Sequence, residues 1–301
     1  MSTTDTIHTC SMAYLHMPTR QTIYTVFLLM IAPGLFVSEV ASARVSAAEL
    51  ARRSGWNWAV VPAGAFDLAS AYRSGSDRNA VLTVYIEGDG VAYATPGQRA
   101  MDPTPTDPLA FRLALQHPGH GAVAWLARPC QYAPRSRSCH SDYWSIARFA
   151  PEVVAGTSVA LDRLKASTDG ATGLILVGYS GGGALAALLA ERRDDVVALV
   201  TVAANLDLTA WVLEHGLSPL SRSLDPADAA ARLARVRQVH FVGAKDRVVG
   251  ERITRSFVAR MPPGTPVSIV VVPGQDHGAG WGKRWPGLSS HPALLGIGGW
   301  R

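Results

Sequence analysis

Short apolar runs alternate with helical patterns along most of the chain. The run from Leu174 to Val177, which glycine bounds, is typical of a parallel strand covered on both faces. Residues 56–61 and 66–72 predict an antiparallel pair at the start of the sheet. The remaining strands are predicted over residues 81–86, 121–126, 196–203, 239–243 and 267–272.

Helical segments separate these strands. They are predicted over residues 109–117, 145–166, 181–193 and 249–260, with Asp107 as the N-cap of the first. Residues 204–236 interrupt the alternation with two short helices, and the tail from Trp281 predicts no regular element. The alternation indicates an α/β fold with a mainly parallel central sheet, in a single domain over residues 44–301.

The first 43 residues differ from the rest of the chain. Arg20 precedes an apolar stretch over residues 23–37, and an A-x-A tripeptide ends at Ala43. This is the pattern of a secretory signal peptide cleaved after Ala43, although a start at Met17 would give a more usual leader. A retained membrane anchor is the alternative, but the stretch is short for a span of about 20 residues. We therefore expect a periplasmic or secreted protein with no stable membrane span after cleavage.

The charge pattern gives no indication of nucleic-acid binding. The 301 residues carry a formal net charge of +5, but only three of them are lysines. The arginines are scattered along the chain rather than gathered in a basic stripe. The 48% hydrophobic content is that of a globular protein with a sizeable core.

Two cysteines, Cys130 and Cys139, lie in the predicted mature chain. An even pair around a polar loop of an exported protein indicates a disulfide. The alternative is a metal site that adds His140, His117 and His120 to the cysteines. Because this spacing matches no standard metal-ligand motif, no metal is expected.

Three polar residues follow separate predicted strands, in the order serine, aspartate, histidine. Ser180 lies in Gly-Tyr-Ser-Gly-Gly, which fits the G-x-S-x-G strand-to-helix turn that exposes a serine hydroxyl. Asp246 and His277 follow later strands, so all three are expected to meet at the carboxyl edge of the sheet. Histidine would take the serine proton while the aspartate fixes the imidazole tautomer. Asp207, which also follows a strand, is the alternative acid, whereas Asp276 is too near His277 in sequence to orient it easily.

The Gly-rich turn after the strand 81–86 predicts donors for a developing oxyanion. A backbone N–H of Gly88 or Asp89 would act together with that of Gly181. Tyr179, inside the serine turn, is the candidate substrate-binding residue. No cofactor is needed for this chemistry.

These motifs resemble α/β-hydrolase-fold serine hydrolases over about residues 56–280. More narrowly, residues 85–90, 127–132 and 143–144 resemble uncharacterised exported bacterial hydrolases of this fold. One departure is Glu87, which stands where many members have histidine. The resemblance implies the α/β-hydrolase fold, in which residues 204–236 would form a small helical cap over the active site.

The resemblance also implies an activity. The expected function is that of an exported serine hydrolase, in particular an esterase, which cleaves a small-molecule acyl substrate through a Ser180 acyl-enzyme. A non-catalytic binding module of the same fold is one alternative. An acyltransferase or a peptidase that uses the same triad is another, because acceptor choice depends on water access and pocket shape.

Overall fold

A computed structural model describes residues 45–76, 81–133, 138–168 and 170–301. The predicted signal peptide, residues 1–43, lies outside these ranges. The described residues belong to one compact unit. None of their helices has the length and apolar character needed to cross a bilayer.

An eight-stranded sheet lies at the centre, in the order β1-β2-β6-β3-β7-β8-β9-β10. The strands, which include a separate small hairpin of β4 and β5, are β1 (Asn57–Ala63), β2 (Phe66–Arg73), β3 (Val81–Ile86), β4 (Tyr93–Thr95), β5 (Gln98–Arg99), β6 (Val123–Leu126), β7 (Gly173–Tyr179), β8 (Val196–Val202), β9 (Arg237–Gly243) and β10 (Val267–Val272). β2 pairs antiparallel with β1 and β6, and the other neighbours pair in parallel. The predicted mainly parallel sheet with an antiparallel start is therefore confirmed.

Seven α-helices are present in the described ranges: α1 (Ala47–Arg53), α2 (Leu109–Ala114), α3 (Pro151–Ser167), α4 (Gly181–Ala190), α5 (Leu208–His215), α6 (Glu251–Val258) and α7 (Trp281–Leu288). They cover both faces of the sheet. On β7, Leu174 and Leu176 belong to the core that includes α3 and α4, whereas Ile175 and Val177 belong to the core that includes α2 and α7. This alternation explains why β7 is apolar along its whole length.

Three predicted helices differ from the observed ones. The helix predicted from residue 145 begins at Pro151. The side chain of Arg148 donates a hydrogen bond to the carbonyl of Ser145, and proline suits the first helical position. Asp107 does not cap α2, since its carboxylate instead accepts a hydrogen bond from Arg112. The second helix of the insert is two 3-10 turns, Pro226–Asp228 and Ala230–Leu233.

Two of the observed α-helices were not predicted. α1 lies directly after the leader, and α7 lies in the tail from Trp281. Trp281 and Trp285 are fully buried, so α7 is stabilised by packing on the sheet although Pro286 lies inside it. Tertiary contacts of this kind leave no periodic signal in a short segment.

Candidate active site

Ser180 stands at the sharp turn between β7 and α4. Its backbone has φ +51° and ψ −124°, a conformation that costs a non-glycine residue about 1–3 kcal/mol. Two glycines allow the turn: a Cβ on Gly178 would lie 2.4 Å from the carbonyl oxygen of Gly182. A Cβ on Gly182 would lie 2.3 Å from the carbonyl oxygen of Ile86. The partly exposed Ser180 thus stands at the carboxyl end of β7, where the G-x-S-x-G pattern predicts it.

His277 lies in the loop that follows β10, and its Nε2 is 3.0 Å from Ser180 Oγ. Its backbone carbonyl accepts hydrogen bonds from the hydroxyl of Tyr179 at 3.0 Å and from Nε1 of Trp281 at 2.9 Å. Burial raises the pKa of the Tyr179 hydroxyl, which therefore stays protonated and donates. These two aromatic residues hold the histidine loop, and no sequence pattern pointed to Trp281.

Asp246 follows β9, and its side chain is fully buried. Its Oδ2 is 2.8 Å from His277 Nδ1. Its Oδ1 accepts the backbone N–H groups of Val248 and Val249, each at 2.8 Å. A carboxylate held in this way favours the imidazole tautomer with its proton on Nδ1, which leaves the Nε2 lone pair facing Ser180.

Asp207, the alternative acid, has other partners. One of its oxygens accepts the N–H of Ala210 at 2.8 Å and so caps α5. The other accepts the Ser256 hydroxyl at 2.6 Å and Nη2 of Arg260 at 3.1 Å. Asp276 is exposed. Of these aspartates, Asp246 is the one that contacts the His277 ring in the described part of the chain.

The turn after β3 contains both N–H groups that the sequence predicted as alternative oxyanion donors, those of Gly88 and Asp89. The Gly88 N–H donates to the carboxylate of Glu87 at 3.1 Å and is therefore engaged. Within the described ranges, the N–H groups of Asp89 and Gly181 donate to no protein acceptor. Gly181 is the first residue of α4, where backbone N–H groups have no partner inside the helix. Asp89 and Gly181 thus keep donors that could serve an oxyanion.

The Asp89 side chain packs against Gly181 and is held by two arginines. A Cβ on Gly181 would lie 2.1 Å from Asp89 Oδ1. Nη1 of Arg128 lies 2.8 Å from Oδ1, and Nη1 of Arg148 lies 2.7 Å from Oδ2. Burial alone would raise the pKa of Asp89, but the two guanidinium groups outweigh it and lower the pKa below its usual range.

Glu87, which the sequence marked only as a departure from the family pattern, is a buried carboxyl group at the end of β3. It accepts hydrogen bonds from the N–H groups of Gly88 and Ala110 and from Nε1 of Trp125, at 3.0–3.2 Å. Burial raises its pKa to about 7, although these donors oppose the rise. These hydrogen bonds connect the end of β3 with α2 and β6, beneath the turn that contains Gly88 and Asp89.

A pocket of about 420 Å³ lies beside Ser180 and His277, a size in the usual range for small-molecule sites. Its lining consists of Glu87, Gly88, Asp89, Gly90, Val91, Pro105, Thr106, Asp107, Leu109, Tyr179, Ser180, His277, Gly278 and Ala279. No residue of the predicted cap, 204–236, is among them. That segment instead contacts neighbouring loops, since Trp211 Nε1 donates to the carbonyl of Val248 and the Leu224 N–H to that of Phe149.

The predicted disulfide between Cys130 and Cys139 is present. Because both sulfur atoms are in this bond, neither cysteine has a thiolate for the alternative metal site. His117 Nδ1 is instead 2.9 Å from the hydroxyl of Tyr85. No group of three or more potential metal ligands occurs in the described ranges.

Comparisons with known proteins agree with this architecture. No family model matches the chain, and no curated protein matches it by sequence. The α/β hydrolase GrgF from Penicillium sp. sh18 is 11% identical with a TM-score of 0.54, over 75% of this chain and 92% of that one. Est1E from Butyrivibrio proteoclasticus is 12% identical with a TM-score of 0.53, over 77% and 96%. A membrane phospholipase A, described as a bacterial virulence factor, is 16% identical with a TM-score of 0.53, over 76% and 83%.

Identities this low carry the architecture and not the activity. The strand order, the flanking helices and the serine turn after a central parallel strand agree with the resemblance drawn from the sequence. The chain therefore has the α/β-hydrolase fold.

Proposed function

We propose that this chain is an exported serine hydrolase that cleaves carboxylic esters or related acyl bonds through an acyl-enzyme at Ser180. The observation that carries the proposal is the hydrogen-bonded line from Ser180 Oγ to His277 Nε2 at 3.0 Å, and from His277 Nδ1 to Asp246 at 2.8 Å. Nucleophile, base and orienting acid each lie at the distance that this chemistry needs.

In the first half of the reaction, Ser180 Oγ attacks the substrate carbonyl carbon while His277 Nε2 takes the hydroxyl proton. The carbonyl oxygen becomes an oxyanion, which the N–H groups of Asp89 and Gly181 would stabilise. The imidazolium then gives its proton to the leaving alcohol as the bond to the carbonyl carbon breaks. Asp246 stabilises the imidazolium throughout, without taking its proton.

In the second half, water attacks the acyl-enzyme. His277 takes one proton from the water and returns it to Ser180 Oγ as the acid product leaves. The partial exposure of Ser180 and His277 supports water as the acceptor. The position of residues 204–236 also supports it, since none of them lines the pocket. These steps use only protein groups and water.

A fluorophosphonate probe tests the nucleophile. The wild-type protein should be labelled and should hydrolyse p-nitrophenyl acetate or butyrate, while Ser180→Ala should do neither. Ser70→Ala is the control, because Ser70 is buried in β2 and its hydroxyl donates to the carbonyl of Ala59. Equal labelling of Ser180→Ala and wild type would overturn the proposal.

The same assay separates the alternatives. A non-catalytic binding module would release no p-nitrophenol with any ester. An acyltransferase would turn over faster when an acceptor alcohol is added, and a peptidase would prefer an amide substrate to the matching ester. A hydrolase should release free acid at the same rate with and without the alcohol.

Export is part of the proposal. The leader pattern over residues 1–43 supports it, and so does the Cys130–Cys139 disulfide, because such bonds persist in oxidising compartments. Expression of the full chain in a bacterium and N-terminal sequencing of the protein from the periplasm or medium should give a mature chain that begins at Arg44. An intact leader on membrane-bound protein would point to an anchor instead.

A further inference from the structure

Asp89, Arg128 and Arg148 form a buried ion cluster next to the candidate active site. The side chains of Arg128 and Arg148 are 4% and 10% exposed, and both contact the one carboxylate of Asp89. Arg128 also donates to the backbone carbonyl of Arg148, and its guanidinium lies 5.0 Å from the ring centre of Phe149. Because a buried charge without a partner is costly, both guanidinium groups hold the carboxylate of Asp89 in one place.

Gln131 holds the backbone of the same turn. Its Nε2 donates to the carbonyl oxygens of Gly88 at 3.0 Å and Asp89 at 3.1 Å. Its Oε1 accepts the N–H of Arg128 at 3.2 Å, and the residue is 1% exposed. Arg128 and Arg148 therefore hold the side chain of Asp89, and Gln131 holds its backbone.

The orientation of the peptide between Gly88 and Asp89 decides where the Asp89 N–H points. The carbonyl of this peptide is the group that Gln131 holds, so its N–H is held as well, since the peptide unit is planar. The Asp89 carboxylate lies against Gly181, which carries the other donor. The distance between the Asp89 and Gly181 N–H groups thus depends on side chains that do not line the pocket.

We propose that Arg128, Gln131 and Arg148, called the clamp below, are positioning residues that hold the Asp89 N–H beside the Gly181 N–H for the oxyanion. This proposal rests on the proposed serine hydrolase function. The clamp acts through Asp89 and does not line the pocket. Its loss should lower kcat and leave KM nearly unchanged, because the donors bind the oxyanion more strongly than the ground-state carbonyl.

Amide hydrogen exchange tests the clamp without any reliance on activity. In Arg128→Lys the charge remains, but a single ammonium cannot span Asp89 and the Arg148 carbonyl as the guanidinium does. The peptide that covers residues 86–92 should exchange at least about 10-fold faster than in the wild type. Gln131→Met, which is neutral and of similar volume, should have the same effect and provides a second variant if Arg128→Lys does not fold.

Ester turnover tests the consequence for catalysis. For both variants kcat should fall about 10²-fold, the size of loss expected when a catalytic group is misplaced by about 1 Å, and KM should change less than about 3-fold. Arg193→Lys is the matched control. Its side chain is 11% exposed and pairs with Asp162 and Asp195, away from the pocket. This control should lower the melting temperature without changing kcat or the exchange of residues 86–92.

Hydrogen exchange and ester turnover together distinguish the possible outcomes. Unchanged exchange in both clamp variants would overturn the clamp itself. Faster exchange with an unchanged kcat would overturn its positioning role. If the wild type shows no Ser180-dependent turnover, the proposed function fails and the catalytic role of the clamp fails with it, while exchange still reports whether the clamp orders the turn.

Discussion

Gly181 and the carboxylate of Asp89 are so close that a Cβ on residue 181 would lie 2.1 Å from an Asp89 oxygen. Because two arginines hold that carboxylate, it cannot move aside easily. Gly181→Ala should therefore separate the two proposed oxyanion donors, the N–H groups of Asp89 and residue 181, and lower kcat for a p-nitrophenyl ester by at least about 10²-fold.

The control for this change is Gly287→Ala in α7, where a Cβ would meet no atom within 4 Å. Alanine in a helix is more favourable than glycine by up to about 1 kcal/mol, so this variant should keep its activity and should have a melting temperature no lower than that of the wild type. A Gly181→Ala enzyme with wild-type kcat would contradict the assignment of these donors.

Asp246 and Asp207 should respond differently to replacement by asparagine. Asp246→Asn favours the wrong imidazole tautomer, and kcat should fall by about 10³–10⁴-fold with little loss of stability. Asp207→Asn removes the charge that Arg260 faces and the acceptor for Ser256, so it should lower stability and leave kcat nearly unchanged. Urea unfolding and ester turnover of both variants measure the two effects, and the reverse pattern would make Asp207 the acid.

The Tyr179 hydroxyl should matter through the histidine loop. Tyr179→Phe removes one of two donors to the His277 carbonyl, while the Trp281 donor remains. One such hydrogen bond contributes about 0.5–1.5 kcal/mol, so kcat should fall by about 3–10-fold. Tyr72→Phe, on a half-buried position of β2, is the matched control and should retain full turnover. A large rise in KM in place of the fall in kcat would indicate that Tyr179 contacts the substrate directly.

Glu87 should make the protein less stable as pH rises. Its pKa is about 7 in the folded protein against the ordinary 4.5, so the folded state binds more protons between these values. The free energy of unfolding should therefore decrease as pH rises from about 4.5 to about 7, by on the order of 3 kcal/mol for this group.

Urea unfolding of wild type and Glu87→Gln at pH 5 and pH 8 measures this contribution, since glutamine does not titrate. Glu191, whose pKa burial also raises to about 7, adds a similar slope, so Glu191→Gln serves as the comparison. The decrease between pH 5 and pH 8 should be smaller in each variant than in the wild type. The same decrease in Glu87→Gln as in wild type would show that Glu87 does not contribute.

The Cys130–Cys139 disulfide should support both stability and the clamp. It joins the segment of Arg128 and Gln131 to the segment that leads to Arg148. Replacement of both cysteines by serine should lower the free energy of unfolding by about 2–3 kcal/mol in the chain-entropy model. It should also increase hydrogen exchange over residues 86–92. Loss of stability with unchanged exchange would separate the disulfide from the oxyanion turn.

Most of the central sheet could be predicted from the sequence, because the inner strands β3, β7 and β8 are largely buried on both faces and are therefore apolar along most of their length. The bounds of β3 and β10 agree with the predicted ones to the residue, since a run of β-branched residues ending in a glycine turn is a local signal. The start of α3 and the helix in the tail could not be predicted. The start of α3 depends on the hydrogen bond from Arg148 to the carbonyl of Ser145. The helix in the tail depends on its buried tryptophans, which pack on the sheet.

The sequence by itself determined the α/β class and the disulfide pair, and it predicted that Ser180, Asp246 and His277 follow separate strands, because strand-end order is a property of the chain. Only the tertiary structure decided that His277 contacts Asp246 and not Asp207. It also decided that, among the described residues, the Gly88 N–H has a protein acceptor and the Asp89 N–H has none. Only the tertiary structure shows that Arg128, Gln131 and Arg148 contact Asp89, from which they are 39, 42 and 59 residues distant in sequence. Contacts between residues so far apart depend on how the sheet brings its loops together, and no local pattern records them.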